Sequence, residues 1–513
     1  MNAFLLYRER DFGLEEDAPN AADLTQDLEL EILFGAMAAG DAFLRDVAKK
    51  AVLASLREPD AILYRQHILA DCLEQSEIVR ELYGIAVEAV EGERKVWNWS
   101  SRYPDSVLHR SVDVLKLFVG LLKRLRHTAD EHGPQFRSEG FTRLFGMLVR
   151  ELNDEYLRRV EDHLARLAFR HGLLMSAEPG AGNKGTHYLL RQPWQTRQKW
   201  TERLQSWIEQ LPLRNRFKYI YEIADRDESG LRALSELRGR GISHVAAALA
   251  QSTDHILSFF RLLQGELGFY VGCLNLWDQL ARKGEPMCFP VPLGRGKVRL
   301  SSQGLYDVCL SLSIEDRVIG NDVSGDDKLL FMITGANRGG KSTFLRSMGL
   351  AYLMMQCGLF VSAESFAANI CDGLCTHFKR EEDASMRSGK LDEELSRMTS
   401  IVDHLSPTSV VLFNESFAST NEREGSEIAR QMVRALLETG IKVFYVTHLF
   451  DLAQGFYLAK RDNALFLRAE RLAGGRRTFR LVEGEPWPTS YGEDLYRRIF
   501  GEVHDVTAVP PLA

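Results

Sequence analysis

Apolar residues recur at helical spacing over residues 20–285, in long runs that contain few prolines. One such stripe predicts a helix with a buried face made of Leu115, Leu117, Phe118, Leu121, Leu122 and Leu125. The pattern breaks at about 172–195, where the glycine-rich run Glu178–Gly185 predicts a turn or a short hairpin. This part of the chain therefore predicts a helical domain with one small insertion.

After residue 300 the pattern of apolar residues changes, because short apolar runs alternate with segments of helical periodicity. The runs predicted as strands are Leu329–Ile333, Val410–Phe413 and Val443–Val446, and the predicted helices are 341–357 and 422–439. Strands that are apolar throughout are typical of a mostly parallel sheet with helices on both faces. Pro286, Pro290 and Pro292 predict a linker over 286–300.

These patterns predict a helical domain followed by an α/β domain. We expect an N-terminal helical lead at 1–45, a helical core or lever domain at 46–290 and an α/β domain at 300–513. The sequence contains no internal repeat. A length of 513 residues is compatible with two to four domains.

Composition narrows the class of protein further. No run of roughly 18 apolar residues occurs, so we expect no transmembrane helix and no membrane partner. The first ten residues are charged too early for a signal peptide. Seven scattered cysteines, an odd number, favour reduced thiols. We therefore expect a cytoplasmic protein.

Charge is distributed unevenly along the chain. Residues 101–220 contain 21 Lys and Arg against 13 Asp and Glu, whereas residues 1–100 contain 10 against 20. A basic segment inside an acidic chain indicates a polyanion partner such as DNA, although solvated helix faces would give the same pattern. Candidate phosphate contacts are the basic stretches Lys123–Arg126 and Trp194–Trp200.

The strongest motif is the run Gly335–Ser342, which fits G-x-x-x-x-G-K-S/T between a predicted strand and a predicted helix. Such a loop wraps phosphates with backbone N–H groups, and the helix N-terminus adds partial positive charge. Lys341 is expected to reach the β- and γ-phosphates of ATP, and Ser342 to hold Mg²⁺. The candidate nucleotide-binding residues are Gly335, Ala336, Asn337, Arg338, Gly339, Gly340, Lys341, Ser342 and Thr343.

Two later strands end in further candidate residues. Glu415 follows the strand Val410–Phe413 and is expected to orient the attacking water. Asn414, a candidate metal-site residue, precedes Glu415 at a position where Asp is usual. Because an asparagine carries no charge, we expect weaker Mg²⁺ binding and slow turnover. His448 ends another strand and is expected to face the same crevice as a sensor of the γ-phosphate.

Two weaker patterns favour structural roles. Gly180, Gly182 and Gly185 match the dinucleotide-binding spacing, but Pro179 precedes them and no strand is predicted there, so we interpret a surface turn. Cys371, Cys375 and His377 fit no common zinc spacing, so we interpret them as structural.

These residues together resemble the MutS mismatch-repair family. Thr334–Thr343 resembles the family's loop T-G-P-N-x-G-G-K-S-T, and Cys357–Ala363 resembles its I-G-x-F-V-P-A. Asn414 and Glu415 stand where the family has Asp-Glu, and Thr447 with His448 resembles its A-T-H. Upstream, Asp60–Gln66 looks like the start of the family's helical core.

The resemblance implies an ABC-type P-loop ATPase that uses ATP and Mg²⁺. It implies a homodimer in which a serine from each subunit reaches the other's nucleotide, and Ser388 is the nearest candidate here. It also implies helical levers that contact DNA, in repair or recombination. The first 45 residues are too few for the family's mismatch-reading domain, and only residues 172–195 could stand in for its clamp.

Two other classes remain open. Transporter-like ATPases have a helical subdomain with a signature motif between the residues that correspond to Lys341 and Glu415, and cohesin-like ATPases have a long coiled coil there. Neither feature is evident in the 74 residues from 341 to 415. A module in which nucleotide only controls dimerisation or partner binding, with little hydrolysis, is kept open by Asn414.

Overall fold

The computed structural model describes residues 1–13, 20–96, 103–169, 173–181, 185–191, 228–380, 389–472 and 476–487. The chain divides into two compact units, each of which gathers separate stretches of sequence. Unit 1 comprises Met1–Asn2, Glu81–Gly133 and Leu144–Gln264, and unit 2 comprises Ala3–Arg80, Pro134–Arg143 and Gly265–Ala513. A helical N-terminal region followed by a mixed α/β domain is confirmed, whereas the exact domain boundaries remain predictions.

Within the described ranges, the helical region is built mainly from nine α-helices. They are α1 (Ala21–Asp27), α2 (Leu30–Ala38), α3 (Ala42–Leu53), α4 (Pro59–Glu74), α5 (Ser76–Lys95), α6 (Pro104–His132), α7 (Glu139–Glu151), α8 (Asp154–Leu167) and α9 (Glu228–Arg282). Asp41 and Asn153 cap α3 and α8 by accepting hydrogen bonds from main-chain N–H groups, which explains where these helices begin. None of the helices in the described ranges is both long and apolar enough to span a bilayer.

Unit 1 is held together by apolar contacts between α6 and α9. Leu108 and Val112 of α6 are buried in one cluster with Ile242 and Ala246 of α9. The predicted stripe on α6 is buried, except that Leu117 is half-buried. The insertion is an antiparallel hairpin of β1 (Leu174–Pro179) and β2 (Gly185–Arg191).

That hairpin corrects one detail of the sequence interpretation. A strand does precede Gly180, although none was predicted there. The pattern was missed because β1 has no buried residue and therefore lacks the apolar alternation that identifies a strand. Gly180 follows β1 and so begins a hairpin connection, while Gly182 lies outside the described residues.

Unit 2 contains a six-stranded sheet and a four-stranded sheet. Its remaining elements are β3 (Val291–Leu293), β4 (Leu300–Leu305), α10 (Val308–Ser313), β5 (Asn321–Ser324), β6 (Leu330–Thr334), α11 (Lys341–Gln356), β7 (Ser365–Asn369), β8 (Leu374–Phe378), α12 (Lys390–Val402), β9 (Val410–Asn414), α13 (Glu422–Glu438), β10 (Lys442–Val446), α14 (Phe450–Leu458), β11 (Ala464–Arg471) and β12 (Arg477–Glu483).

The six-stranded sheet has the order β12-β11-β6-β10-β9-β8. The four pairs from β11 to β8 are parallel, and β12 joins β11 as an antiparallel edge strand. Strands β6 and β10 are buried along their whole length, which explains the apolar runs Leu330–Ile333 and Val443–Val446 within them. Helices α13 and α14 contribute to the apolar core on this sheet through Val433 and Leu452.

The segment 286–300, predicted as a linker, instead contributes a strand to the second sheet. That sheet has the order β3-β7-β4-β5, and β3 pairs in parallel with β7. Pro292 lies in β3, which is an edge strand, and an edge is the position in a sheet where a residue without an N–H group is tolerated. The prolines concealed the strand because they normally indicate a break.

Candidate nucleotide-binding site

The carboxyl ends of three neighbouring parallel strands bring the predicted residues together. Val446 of β10 pairs with Asn414 of β9 on one side and with Ile333 of β6 on the other. The residues that follow these three strands therefore lie side by side at one edge of the sheet. This edge is where α/β proteins commonly bind ligands.

The loop between β6 and α11 needs glycine at particular positions. Gly335 and Gly340 have φ angles of 114° and 91°, in a region that side-chain-bearing residues rarely adopt. A Cβ atom at Gly339 would lie 2.6 Å from the Cβ of Ala469 and 2.8 Å from the carbonyl oxygen of Ala336. The loop is thus tightly wound at the N-terminus of α11, which is the arrangement that presents N–H groups to an anion.

Lys341 is the first residue of α11 and is only 5% exposed. Its Nζ donates hydrogen bonds of 3.0 Å to the carbonyl oxygens of Gly335 and Ala336. Burial lowers the pKa of this ammonium to about 8, the negative charge of Glu415 opposes the shift, and the positive charge of Arg477 adds to it. The ammonium is held against the loop, where a phosphate oxygen would compete with the two carbonyls.

Ser342 and Asn414, the two predicted metal-site residues, are in direct contact. The Oγ of Ser342 donates to the Oδ1 of Asn414 at 2.9 Å. Both groups are neutral, whereas Mg²⁺ in proteins favours carboxylate and phosphate oxygens. Ser342 and Asn414 could offer Mg²⁺ only two neutral oxygen ligands, a hydroxyl and an amide oxygen. Most of the negative charge around the ion would therefore have to come from the phosphates of a bound nucleotide.

Glu415 directly follows Asn414 in the sequence, and its backbone is held in an unusual conformation. Its φ is 55°, and its N–H donates to the carbonyl of Val446 at 2.9 Å. Its Oε1 lies 3.1 Å from the Nε2 of His448. The hydrogen bond from His448, together with the charges of His448, Lys341 and Lys379, lowers the pKa of Glu415 although burial opposes this. The carboxylate is therefore ionised at neutral pH.

The cysteines and histidine of the second weak pattern are accounted for by local structure. The Nδ1 of His377 lies 2.7 Å from the Oγ of Ser416, and its Nε2 lies 2.9 Å from the carbonyl oxygen of Glu394. Burial lowers the pKa of His377 to about 4, so the ring is neutral. Cys371 is buried beside the side-chain oxygen of Gln356. Within the described ranges, no group of three or more His, Cys, Asp or Glu is arranged to hold a metal.

A cavity of about 470 Å³ opens beside the loop and was not predicted from the sequence. It combines loop residues with aromatic and aliphatic side chains, among them Tyr306, Ile319, Phe344 and Phe479. This size and lining are typical of sites for small organic ligands. These residues come from four separate segments with no shared spacing, so no local pattern in the sequence could have identified them.

The basic residues of 123–126, predicted to contact DNA phosphates, form ion pairs in the structure. Lys123 pairs with Glu161 at 2.6 Å and Arg124 with Glu88 at 2.5 Å, and Arg126 pairs with Asp154. Each of these cations therefore lies beside a carboxylate, and the contact of this stretch with phosphates stays a prediction. Ser388 and the stretch 194–200 lie outside the described residues.

Fold and site together define a mixed α/β domain with a phosphate-loop sequence between a buried strand and a helix, preceded by a helical region. Comparison with protein families agrees with this class. The family model described as MutS2 N-terminal domain matches residues 57–283, and the model described as MutS domain V matches residues 331–496. The chain therefore belongs to the MutS family.

Individual relatives are similar to about a third of this chain at modest identity. Endonuclease MutS2 of Lacticaseibacillus casei is 32% identical over 173 residues, which is 33% of this chain and 22% of that protein. Endonuclease MutS2 of Thermus thermophilus is 31% identical over 189 residues, covering 36% and 25%. DNA mismatch repair protein MutS of Chlorobium chlorochromatii is 32% identical over 145 residues, covering 28% and 17%. The matches thus span a quarter or less of each of these three relatives.

Proposed function

We propose that this chain is an ATP-binding and ATP-hydrolysing protein of the MutS type, in which nucleotide controls a homodimer that binds DNA. The observation that carries the proposal is the meeting of the loop lysine, the Ser342–Asn414 pair and the Glu415–His448 pair at one edge of a parallel sheet. Its ABC-type assignment rests on the same arrangement and on the match to MutS domain V.

In this proposal the nucleotide is held at two places. Its phosphates lie in the loop, where Lys341 exchanges the carbonyls of Gly335 and Ala336 for phosphate oxygens. The base and sugar occupy the adjoining cavity, where Tyr306, Phe344 and Phe479 offer aromatic surface. Both regions lie within unit 2 and share Gly340 and Thr343.

Hydrolysis is assigned to Glu415. An ionised carboxylate can accept a hydrogen bond from water and so orient it toward the γ-phosphate, and His448 at 3.1 Å keeps this side chain in place. When bound, Mg²⁺ would neutralise phosphate charge, with Ser342 and Asn414 supplying neutral oxygens. The missing carboxylate at Asn414 supports slow turnover. It also supports the second candidate function, a nucleotide-controlled dimerisation or partner-binding module with little hydrolysis.

ATP binding and turnover are tested first with Lys341→Ala and Glu415→Gln. We expect Lys341→Ala to abolish ATP binding, and Glu415→Gln to bind ATP but lose turnover. If the wild-type chain binds ATP but hydrolyses it no faster than the background rate, the non-hydrolytic module is the correct function. Absence of ATP binding to the wild-type chain would contradict both candidates.

The proposals of dimerisation and of DNA binding rest on membership of the MutS family, and each needs a separate test. Sedimentation with ADP and with a non-hydrolysable ATP analogue should show a nucleotide-dependent dimer, and a monomer in both would contradict this. DNA binding should be titrated against salt on duplex, mismatched, branched and single-stranded DNA, with and without ATP. We expect weak, salt-sensitive binding without mismatch preference, because backbone contacts carry no sequence information.

A further inference from the structure

The edge hairpin of the large sheet packs directly on the phosphate loop. A Cβ atom placed on Gly340 would lie 3.3 Å from the carbonyl oxygen of Phe479 in β12. One placed on Gly335 would lie 2.8 Å from the main-chain nitrogen of Ala469 in β11. Asn321 fixes the position of β12 by hydrogen bonds with the main chain of Phe479 and Leu481. Residues of this hairpin are therefore held close to any phosphate in the loop.

Arg477 is the first residue of β12, two positions before Phe479. Its Nε is buried and has no hydrogen-bond partner in the part of the chain that the structure describes. Its guanidinium lies near enough to Lys341 to contribute to the lowered pKa of that lysine, after the larger effects of burial and Glu415. Two cations held together in this way repel each other, and a buried donor without an acceptor is costly.

The charges around the loop are mainly positive. Lys341, Arg477 and Lys379 are positive, and Lys379 is near enough to lower the pKa of Glu415. Glu415 is the carboxylate that faces them, and it is already hydrogen-bonded to His448. Asn414 adds no negative charge. The site is thus suited to an anion with several charges and provides little negative charge for a cation.

We propose that Arg477 binds the terminal phosphates of the nucleotide together with Lys341, and that this second fixed cation makes nucleotide binding largely independent of Mg²⁺. The inference rests on the proposed function, because it requires the loop to bind ATP. A guanidinium presents paired donors that match two phosphate oxygens, so it supplies charge and orientation together. It offsets the loss of the metal-binding carboxylate at Asn414.

The test uses the full-length chain and the variants Arg477→Ala and Arg477→Lys. Arg480→Ala is the matched control, because Arg480 is an exposed arginine three positions along the same strand. ATP and AMP binding are measured by calorimetry, with Mg²⁺ and with EDTA, and the melting temperature of each variant is recorded. AMP is included because it lacks the terminal phosphates.

We expect EDTA to weaken ATP binding to the wild-type chain by less than about threefold, since fixed cations replace the metal. Arg477→Ala should weaken ATP binding about tenfold or more, most severely in EDTA, and leave AMP binding within about twofold. Arg477→Lys should restore part of the affinity because it restores the charge without the paired donors. Arg480→Ala should bind ATP as the wild-type chain does.

Three results would overturn the inference and leave the proposed function standing: ATP binding that EDTA abolishes in the wild-type chain, Arg477→Ala binding ATP normally, or Arg480→Ala losing as much affinity as Arg477→Ala. A parallel loss of ATP and AMP binding with a lowered melting temperature would also overturn it, because it would show a structural role. A wild-type chain that binds no ATP under either condition would refute the proposed function itself.

Discussion

Replacing Glu266 by Gln should change how the stability of unit 2 depends on pH. Glu266 lies in α9, is fully buried and accepts a hydrogen bond from the main-chain N–H of Leu5. Tyr270, also in α9, donates to the carbonyl of Leu5 at 2.6 Å. Burial raises the pKa of Glu266 from 4.5 to about 7, although hydrogen bonds from the segment around Leu5 oppose the shift.

The sign and size of the effect follow from this pKa. Below pH 4.5 the carboxyl group is protonated in both the folded and the unfolded chain, so its contribution to stability is fully present. As the pH rises toward 7, the unfolded chain ionises first and the folded state loses that contribution. A difference of about 2.5 pKa units corresponds to about 3 kcal/mol at most. Stability should therefore fall between pH 4.5 and about 7 and then level off.

The assay is urea unfolding of the wild-type chain and of Glu266→Gln across this pH range. Gln does not titrate, so the difference between the two unfolding free energies isolates the carboxyl group. Glu236→Gln is a suitable control, because Glu236 is exposed on the same helix. A wild-type minus Glu266→Gln difference that stays constant with pH would refute the assignment.

The same segment is connected to the helix that follows the phosphate loop. The fully buried Arg65 donates to the carbonyl of Leu6 at 2.8 Å and to the carbonyl of Cys357, just beyond α11, at 3.1 Å. Because the buried charge of ionised Glu266 favours opening of the segment to water, its ionisation should also loosen the C-terminal end of α11. Hydrogen exchange of α11 in the wild-type chain should increase as Glu266 ionises.

Three further predictions concern the candidate site directly. Asn414→Asp places a carboxylate beside Ser342 and should make ATP binding at least about tenfold more dependent on Mg²⁺, measured by calorimetry with and without EDTA; an unchanged dependence would contradict this. Glu415→Gln should lower the ATPase rate by about 10²- to 10⁴-fold without weakening ATP binding, and a normal rate would remove Glu415 from catalysis. Because the pKa of Lys341 is about 8, ATP affinity should fall about tenfold from pH 7 to pH 9, and a flat profile would contradict that pKa.

Much of the site could be predicted because its chemistry lies in short contiguous patterns. The loop Gly335–Thr343, the pair Asn414–Glu415 and His448 each follow an apolar run, and apolar runs identify buried parallel strands reliably. Parallel strands align their carboxyl ends, so their meeting was foreseeable. The roles of these residues in nucleotide binding and hydrolysis remain predictions.

What could not be predicted depends on contacts between distant segments. Arg477 becomes relevant only because β12 pairs with β11 and so lies on the loop, and no spacing links it to Lys341. The positive charge of Lys123 and Arg124 could be counted, but their pairing with Glu161 and Glu88 on other helices could not. Which carboxylate each of these cations pairs with depends on tertiary structure, and no spacing in the sequence indicates it.

Calorimetric titration of the wild-type chain and of Lys341→Ala with ATP tests most directly whether the loop is a nucleotide site. We predict saturable binding of ATP to the wild-type chain in the micromolar to millimolar range and no binding to the variant. This follows because removing the ammonium that lies against the loop removes its main fixed charge for phosphate. Equal binding to both chains, or no binding to the wild-type chain, would contradict the claim that this loop is a nucleotide site.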